Sequence, residues 1–313
     1  MANWKTYRNG NYTVTINLED GTKIRQTINP DDYEFIPEFA ESVDLCIGRR
    51  CDGGCPYCYE DATPDGKNGD LLDDNLINSF HPYTEVAING NSVDHPQLEE
   101  FLRRLKARNI IANMTVNQVH FEREQEKIRK LVDEKLIYGL GVSLRAASPG
   151  FVQLVKQYPN AVIHVINGIF DENDAWILRG NNLKILILGY KRIGRGMKYA
   201  SSAVSHVRIL DNMIWLNSEL PKLIKDFAVV SFDNLAIKQL NVKDLMTPEK
   251  WAEFYMGDDG KFTFYIDMAE RKFGVSSLVD KSEMIPMENM TVDQMFNIVR
   301  ASRPIGMIVN EIR

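Results

Sequence analysis

The sequence predicts an α/β fold, namely a partial (β/α)6 TIM-like barrel with an N-terminal β-hairpin and a C-terminal α+β extension. Two observations carry this prediction. Short, nearly continuous apolar runs recur through the middle of the chain, which is typical of parallel strands buried on both faces. The segments between them show the i, i+3, i+4, i+7 spacing of amphipathic helices. Strands that alternate with helices build a parallel sheet, and six repeats favour a partial barrel.

The first predicted element is a hairpin in an N-terminal segment that we place at residues 1–39. Residues 12–18 alternate between apolar and polar side chains, Asp20 and Gly21 form a turn, and residues 23–28 return. Alternation on both sides of an Asp-Gly pair is a strong signal for two antiparallel strands.

The core of the predicted barrel lies within residues 40–200. Its strands are the six apolar runs at residues 43–47, 86–89, 110–116, 138–144, 161–167 and 183–189. The clearest helical pattern between them is Leu98, Phe101, Leu102 and Leu105. In such barrels the chemistry takes place at the carboxyl ends of the strands, so residues that directly follow each run are the candidates for a site.

The remaining segment, residues 201–313, has a mixed pattern. We predict a helix from residue 204 towards Pro221, a strand at 227–232, a hairpin formed by 262–266 and 272–276, and a closing helix at 292–300. Thr291 precedes the closing helix and is a suitable N-cap.

Composition limits the classes of function. The chain has 313 residues, a net charge of −6 and a pI near 5.5, which argues against a generally basic surface for nucleic acid, although a local basic patch stays open. No stretch approaches the roughly 18 apolar residues of a membrane span. The polar N-terminus lacks the apolar core of a secretion signal. We therefore expect a cytoplasmic protein whose thiols are kept reduced.

All four cysteines fall between positions 46 and 58, which points to metal binding rather than to a disulfide scaffold. Cys51, Cys55 and Cys58 have the spacing C-x3-C-x2-C and follow the first core strand. Three thiolates on one loop can hold three corners of an iron–sulfur cubane. The fourth iron then has no cysteine, and an open coordination position is characteristic of catalytic metals.

This loop resembles the signature of the radical SAM superfamily, in which an aromatic residue precedes the third cysteine, as Tyr57 does here. The resemblance implies a [4Fe–4S] cluster on Cys51, Cys55 and Cys58, whose open iron binds S-adenosylmethionine (SAM). It further implies reductive cleavage of SAM to a 5′-deoxyadenosyl radical that abstracts hydrogen from a substrate. The electron would come from an external one-electron donor such as a flavodoxin or ferredoxin. The backbone beside Tyr57 would contact the adenine.

The same resemblance implies further SAM contacts at the ends of later strands. A glycine-rich turn after the second strand usually meets the methionine ammonium, and only Gly90 of Asn89-Gly90-Asn91 keeps that pattern. Ser143 and Arg145 would hold the methionine carboxylate or the ribose. The other candidates are Asn167 at the end of the fifth strand, and Gly189 and Lys191 at the end of the sixth. Ordinary β-to-α turns and solvated loop residues are the competing interpretation of these positions.

An alternative class is a non-catalytic structural or regulatory protein that holds zinc or an iron–sulfur cluster. Four cysteines suit a zinc knot, but Cys46 lies within a predicted strand and is better explained as a small buried residue. His164 also lies within a strand and is interpreted as a hydrogen-bonded core residue.

The sequence does not identify the substrate, and a peptide side chain, a small metabolite and a nucleotide are all candidates. By resemblance, residues 201–313 would cover the barrel mouth and control substrate access. Asp233 and Asn234 follow the strand predicted at 227–232, so we expect them to supply polar groups that face the substrate.

Overall fold

A small antiparallel sheet begins the chain. The structure, a computed structural model, describes residues 3–90 and 93–302. The sheet contains β1 (Trp4–Asn9), β2 (Tyr12–Asn17) and β3 (Lys23–Thr27) in the order β1-β2-β3. The predicted hairpin is present as β2 and β3, whereas β1 was missed. Only Trp4 and Tyr7 are apolar in β1, so the alternation that marks a strand is too weak to detect there.

All six predicted core strands are present, and helices lie between them. The strands are β4 (Ser42–Cys46), β5 (Glu85–Asn89), β6 (Ile111–Asn117), β7 (Gly139–Ser143), β8 (Ala161–Ile166) and β9 (Lys184–Leu188). The helices are α1 (Asp74–Ser79), α2 (Leu98–Ala107), α3 (Gln118–Arg123), α4 (Gln125–Asp133), α5 (Pro149–Val155) and α6 (Glu172–Leu178). These elements give the β/α alternation that the apolar runs predict.

The C-terminal part adds α7 (Arg195–Ser201), α8 (Ala203–Leu223), β10 (Val229–Phe232), α9 (Asn234–Gln239), α10 (Pro248–Phe254), β11 (Thr263–Asp267), β12 (Lys272–Gly274), β13 (Ile285–Pro286) and α11 (Val292–Ala301). The predicted hairpin is confirmed as the antiparallel pair β11 and β12. Thr291 caps α11 in a capping box with Gln294. Helix α8 continues through Pro221, which lies in its last turn.

One sheet of ten strands carries the site, in the order β10-β9-β8-β7-β6-β5-β4-β11-β12-β13. Strands β4 to β9 are parallel in sequence order, which confirms the predicted partial barrel, and β10 and β11 extend it in parallel at its two sides. Across the described residues, β10 and β11 do not pair with each other, so the barrel is open between them. The division of the chain into three segments stays a prediction.

The two faces of the parallel strands have different roles. On β4 and β5 the side chains of Val43, Leu45, Val86 and Ile88 are fully buried in the main hydrophobic core, together with the apolar face of α2. Burial of each such side chain contributes about 1.5–3 kcal/mol. The alternate residues, such as Asp44, face the interior of the barrel, because successive side chains in a strand point to opposite faces.

The interior of the barrel contains two adjoining cavities. The lower cavity, about 820 Å³ in volume, is bounded by the β2–β3 turn, including Asn17 and Thr22, and by polar side chains such as Asn113 and Lys184. The upper cavity lies at the carboxyl ends of the strands and has a volume of about 320 Å³. Among the described residues, no helix is both long and apolar enough to cross a lipid bilayer.

Candidate active site

The cysteine loop follows β4 at the carboxyl edge of the sheet. The backbone N–H of Cys51 donates to Thr63 O at 2.8 Å, and that of Cys58 donates to Cys55 O at 3.3 Å. Gly54 has a φ of +61°, a conformation that glycine adopts without steric cost. Cys51, Cys55 and Cys58 are all partly exposed, so a ligand in the loop can reach each sulfur.

Cys46 stands apart from these three cysteines. Its side chain is fully buried beside Tyr265 and Met284, and its Sγ lies 3.7 Å from Gly48 O. Burial raises the pKa of its thiol. These contacts agree with the interpretation of Cys46 as a small core residue.

The spacing of the three loop sulfurs suits a cluster better than a single ion. In tetrahedral zinc sites with Zn–S bonds of about 2.3 Å, the sulfurs are about 3.8 Å apart. Within the part of the chain that the structure describes, three ligand atoms within 4.8 Å of one another occur for Asp52, Asp94 and His120, and the cysteines do not form such a set. At least one pair of the three sulfurs is therefore more than 4.8 Å apart, which is wider than in a tetrahedral zinc site and agrees with the larger spread of thiolates around a cubane.

Two side chains donate to the sulfur of Cys55. Arg145 Nη1 lies 2.9 Å from Cys55 Sγ and also 2.9 Å from Gly53 O, and Asn117 Nδ2 lies 3.3 Å from the same sulfur. The expected contact of Arg145 with the carboxylate or the ribose of SAM stays a prediction, and Asn117 was not among the predicted site residues. Asn117 ends β6 just as Arg145 follows β7, so the position at a strand end was the available signal.

The start of α7 supports the loop from the other side. The backbone N–H of Arg195 donates to Cys58 O at 3.0 Å. Its guanidinium donates to Cys55 O at 3.1 Å and to Ala62 O at 2.8 Å. Arg195 thus connects the sixth β/α turn to the cysteine loop and fixes the backbone around two of the three sulfurs.

Polar contacts of Asp52 hold the outer side of the loop. Asp52 lies between Cys51 and Cys55 in the sequence. Its carboxylate accepts a hydrogen bond from Arg123 Nη1 at 2.7 Å and lies 2.6 Å from His120 Nε2. The hydrogen bonds from Arg123 and from His120 lower the pKa of Asp52 to about 2. Residues 51–55 are therefore tied to α3, a contact between distant segments that the sequence analysis missed.

A buried ion-pair network holds the end of the loop against β11. Arg49 binds Asp267, Glu60 (at 3.1 Å) and Glu270 (at 3.2 Å), and Tyr265 donates to Glu60 at 2.9 Å. Glu60 follows the cysteine loop, and its side chain is only 8% exposed. Its carboxylate is stabilised by these partners instead of by water.

The upper cavity brings together five of the predicted SAM-contacting residues. Tyr57, Asn89, Ser143, Gly189 and Lys191 all line it. They come from the cysteine loop and from the ends of three strands that are distant in sequence. This convergence is what parallel strands produce at their carboxyl edge.

The other predicted contacts lie outside this lining. Gly90 has a φ of +98°, and a Cβ there would lie 2.8 Å from Gly48 O, so the turn after β5 requires glycine. Arg145 reaches the cysteine loop, as described above. Asn167 is buried and donates to Gln239 Oε1 at 3.1 Å. Asn91 lies outside the described residues.

The charged residues of the upper cavity are mostly engaged with the protein. Lys191 Nζ donates to Ser277 Oγ at 2.7 Å and lies 3.8 Å from the ring centroid of Tyr59. Asp233 accepts from the backbone N–H groups of Gly189 at 2.9 Å and Ala236 at 2.7 Å, and so caps α9. The predicted substrate-facing role of Asp233 stays a prediction, and the structure adds this capping role.

Asn234 was predicted to act with Asp233. It lies outside the lining of the cavity and donates to Asp259 Oδ1 at 2.6 Å. Its side chain is thus hydrogen-bonded to the loop that precedes β11.

His164 lies at the boundary between the two cavities. It lines both of them, together with Ala87, Thr115 and Leu186. Burial lowers the pKa of His164 to about 4, so the imidazole is neutral at pH 7. The side chain is buried and faces the interior of the barrel, and no hydrogen bond of its ring occurs among the described residues, so the hydrogen bond expected for His164 stays a prediction.

No protein-family model matches the sequence, and no curated protein matches it. Solved structures are similar in fold. SuiB from Streptococcus suis bound to S-adenosylmethionine has a TM-score of 0.55 at 10% identity, over 86% of this chain and 80% of that chain. SuiB bound to the precursor peptide SuiA has a TM-score of 0.53 at 11% identity, over 87% and 82%. A further SuiB structure has a TM-score of 0.52 at 11% identity, over 87% and 81%. At these identities the likeness shows a shared fold.

Proposed function

We propose that this chain is a radical SAM enzyme. Cys51, Cys55 and Cys58 hold a [4Fe–4S] cluster, and the upper cavity binds SAM. When bound, the cluster supplies the electron that cleaves SAM to methionine and a 5′-deoxyadenosyl radical, which abstracts hydrogen from the substrate. The observation that carries the proposal is the position of the three cysteines on a loop whose residue Tyr57 lines the cavity at the carboxyl end of the barrel.

The donor set fits this group. Thiolates are the usual protein ligands of iron–sulfur clusters, and the loop offers three that are partly exposed and widely spread. Arg145 and Asn117 donate hydrogen bonds to Cys55 Sγ, and hydrogen bonds to the sulfurs are one means by which proteins adjust cluster potential. Arg195 and Asp52 hold the loop backbone in place from its two sides.

The chain's own residues would bind SAM, orient it and exclude water. Tyr57 and Tyr190 supply aromatic surface in the upper cavity, and Ser143 and Asn89 supply hydrogen-bonding groups at the ends of β7 and β5. Asn89 Oδ1 is buried without a hydrogen-bond partner among the described residues, so it is available to a ligand. An unpaired buried polar atom is costly, and a bound ligand relieves that cost.

The solved structures support this proposal at the level of fold. The SuiB structures contain S-adenosylmethionine in one case and the precursor peptide SuiA in another. We therefore take a peptide or protein side chain as the leading substrate class, with a small metabolite as the second. A flavodoxin-like or ferredoxin-like protein in the cytoplasm would supply the electron.

The first prediction tests the cluster ligands by single replacement. Cys51→Ser, Cys55→Ser and Cys58→Ser should each lose most of the iron after anaerobic reconstitution, because three thiolates are the minimum set for the cluster. Each variant should also form no 5′-deoxyadenosine from SAM under dithionite, as measured by mass spectrometry.

The matched control is Cys46→Ala, which removes the one cysteine that lies away from the loop. It should keep the brown colour, the iron content and SAM cleavage. A colourless wild-type protein that holds stoichiometric zinc, or a cluster whose spectrum does not respond to SAM, would contradict the proposed function.

A further inference from the structure

The upper cavity contains a carboxylate that the proposed function leaves without a role. Asp44 lies on β4, on the interior face of the barrel, and lines the cavity. Among the described residues its side chain makes no hydrogen bond and no ion pair. Its register partner on β5 is Ala87, whose small side chain leaves space in front of the carboxylate.

The charges around Asp44 do not neutralise it. Burial raises the pKa of Asp44 to about 6, the positive charge of Lys191 opposes this increase, and Asp259 and Asp233 add to it. Lys191 is hydrogen-bonded to Ser277, so its ammonium is directed elsewhere. At pH 7 most molecules therefore carry a carboxylate inside the barrel that lacks a partner.

Such a group is costly to keep in the folded state. A charged group away from bulk water loses solvation that only a cation or several hydrogen bonds can replace. Replacement by asparagine would avoid the cost with the same shape. An uncompensated carboxylate in a cavity is therefore a good candidate for a ligand-binding group.

We propose that Asp44 is a specificity-determining residue that binds a cationic group of the substrate, either an ammonium or a guanidinium. This inference rests on the proposed function and specifies its substrate class. The cation comes from a lysine or arginine side chain in a peptide or from a free small amine. The two cavities adjoin at Ala87, Thr115 and His164, and Ala87 is the register partner of Asp44, so the carboxylate lies near the boundary between them.

The position of Asp44 favours the substrate over SAM as the source of this cation. Two of the groups that act on its charge, Asp233 and Asp259, belong to residues 201–313, the segment expected to control substrate access. The third, Lys191, is a predicted SAM contact, but its ammonium is hydrogen-bonded to Ser277 of that same segment.

The experiment measures the binding of defined probes to anaerobically reconstituted full-length protein saturated with SAM. The probes are acetyl-Gly-Lys-Gly amide, its arginine analogue, free lysine, and the neutral isostere acetyl-Gly-norleucine-Gly amide. Dissociation constants come from saturation-transfer NMR. The wild type should bind the cationic peptides or free lysine at least about tenfold more tightly than the norleucine peptide. Comparison of lysine with the peptides distinguishes the two sources of the cation.

Asp44→Asn should abolish this preference, and Asp44→Glu should keep part of it. Asp211→Asn removes the same charge from an exposed position on α8 and should bind as the wild type does. In the wild type the preference should weaken as the pH falls through about 6, where Asp44 becomes protonated. His164 is neutral across this range, and burial raises the pKa of Tyr59, so it stays protonated.

Three results would overturn the inference. The first is a wild type that binds lysine and norleucine peptides equally. The second is a preference for cations that persists in Asp44→Asn. The third is an Asp44→Asn variant that loses only its affinity for SAM, which would assign Asp44 to SAM. Circular dichroism and thermal unfolding verify that the variant folds. Cationic preference in a protein that holds no cluster would reject the proposed function while leaving the Asp44 site standing.

Discussion

At the scale of single residues, the sulfur of Cys55 accepts hydrogen bonds from two side chains, those of Arg145 and Asn117. C-x3-C-x2-C is a local pattern, and it identified Cys51, Cys55 and Cys58 directly. The contact between Arg145 and Cys55 joins residues 90 positions apart, so it depends on how β4 and β7 are placed in the sheet. Asp44 was not predicted as a site residue, because a single polar residue within an apolar run does not distinguish a functional position from an ordinary strand position.

The hydrogen bonds to Cys55 lead to a prediction about the cluster potential. Arg145→Gln should leave the iron content near that of the wild type but make the reduction potential more negative, because a positive charge and a hydrogen bond at the sulfur both favour the reduced cluster. Redox titration followed by electron paramagnetic resonance measures this shift. Asn117→Ala should shift the potential in the same direction and by less, since it removes a neutral donor.

Arg129→Gln serves as the control, because Arg129 is on α4 and bonds Gln157 away from the loop. An unchanged potential in Arg145→Gln would mean that the contact only supports the loop. Loss of iron in that variant would point the same way.

At the scale of elements, the N-terminal sheet is joined to the barrel by buried charges. Glu41 lies just before β4, and its side chain is only 1% exposed. Its carboxylate accepts hydrogen bonds from Arg25 Nε at 2.8 Å and from Tyr12 Oη at 2.6 Å. Lys23 lies 3.4 Å from Glu41 and also pairs with Glu85 on β5. The hairpin that residues 12–28 predict therefore has a second function as an anchor, which a local pattern does not reveal.

This network predicts a pH dependence of stability. Burial alone would raise the pKa of Glu41, but the hydrogen bond from Arg25 and the charge of Lys23 outweigh it, so the pKa is lowered. A carboxyl with a lowered pKa stabilises the fold above its unfolded pKa of about 4.3, and this stabilisation is lost as the pH falls through the folded pKa. Glu41→Gln should lower the free energy of unfolding at pH 7 by about 3 kcal/mol, because it leaves the buried guanidinium of Arg25 without its carboxylate partner.

Urea unfolding at several pH values measures this effect. Below about pH 4 the difference between Glu41→Gln and the wild type should shrink, since protonation neutralises the same group. Glu38→Gln changes an exposed neighbour and should leave the stability within about 0.5 kcal/mol. A difference that stays constant with pH would contradict the assignment to the charge of Glu41.

At the scale of the whole molecule, the sequence was informative about the type of each element and less so about its partner. The apolar runs predicted β4 to β9 because burial on both faces leaves a local signature. The strand at 227–232 and the first strand of the late hairpin were also predicted, but their parallel pairing with β9 and β4 was not. Pairing of distant strands is decided by the closure of long loops and by packing, which a pattern within one segment does not encode.

The last prediction concerns the dependence of the barrel on the N-terminal segment. A chain that starts at residue 40 lacks Lys23 and Arg25, so the buried carboxylates of Glu41 and Glu85 have no compensating charge, and the lower cavity opens to water. We expect this chain to lose cooperative thermal unfolding. Replacing both carboxylates in the shortened chain, as Glu41→Leu and Glu85→Leu, should restore part of the stability, because apolar groups of similar size tolerate such sites. If the shortened chain unfolds at the same temperature as the full chain, then the N-terminal sheet is an independent unit and the buried ion pairs contribute little to the barrel.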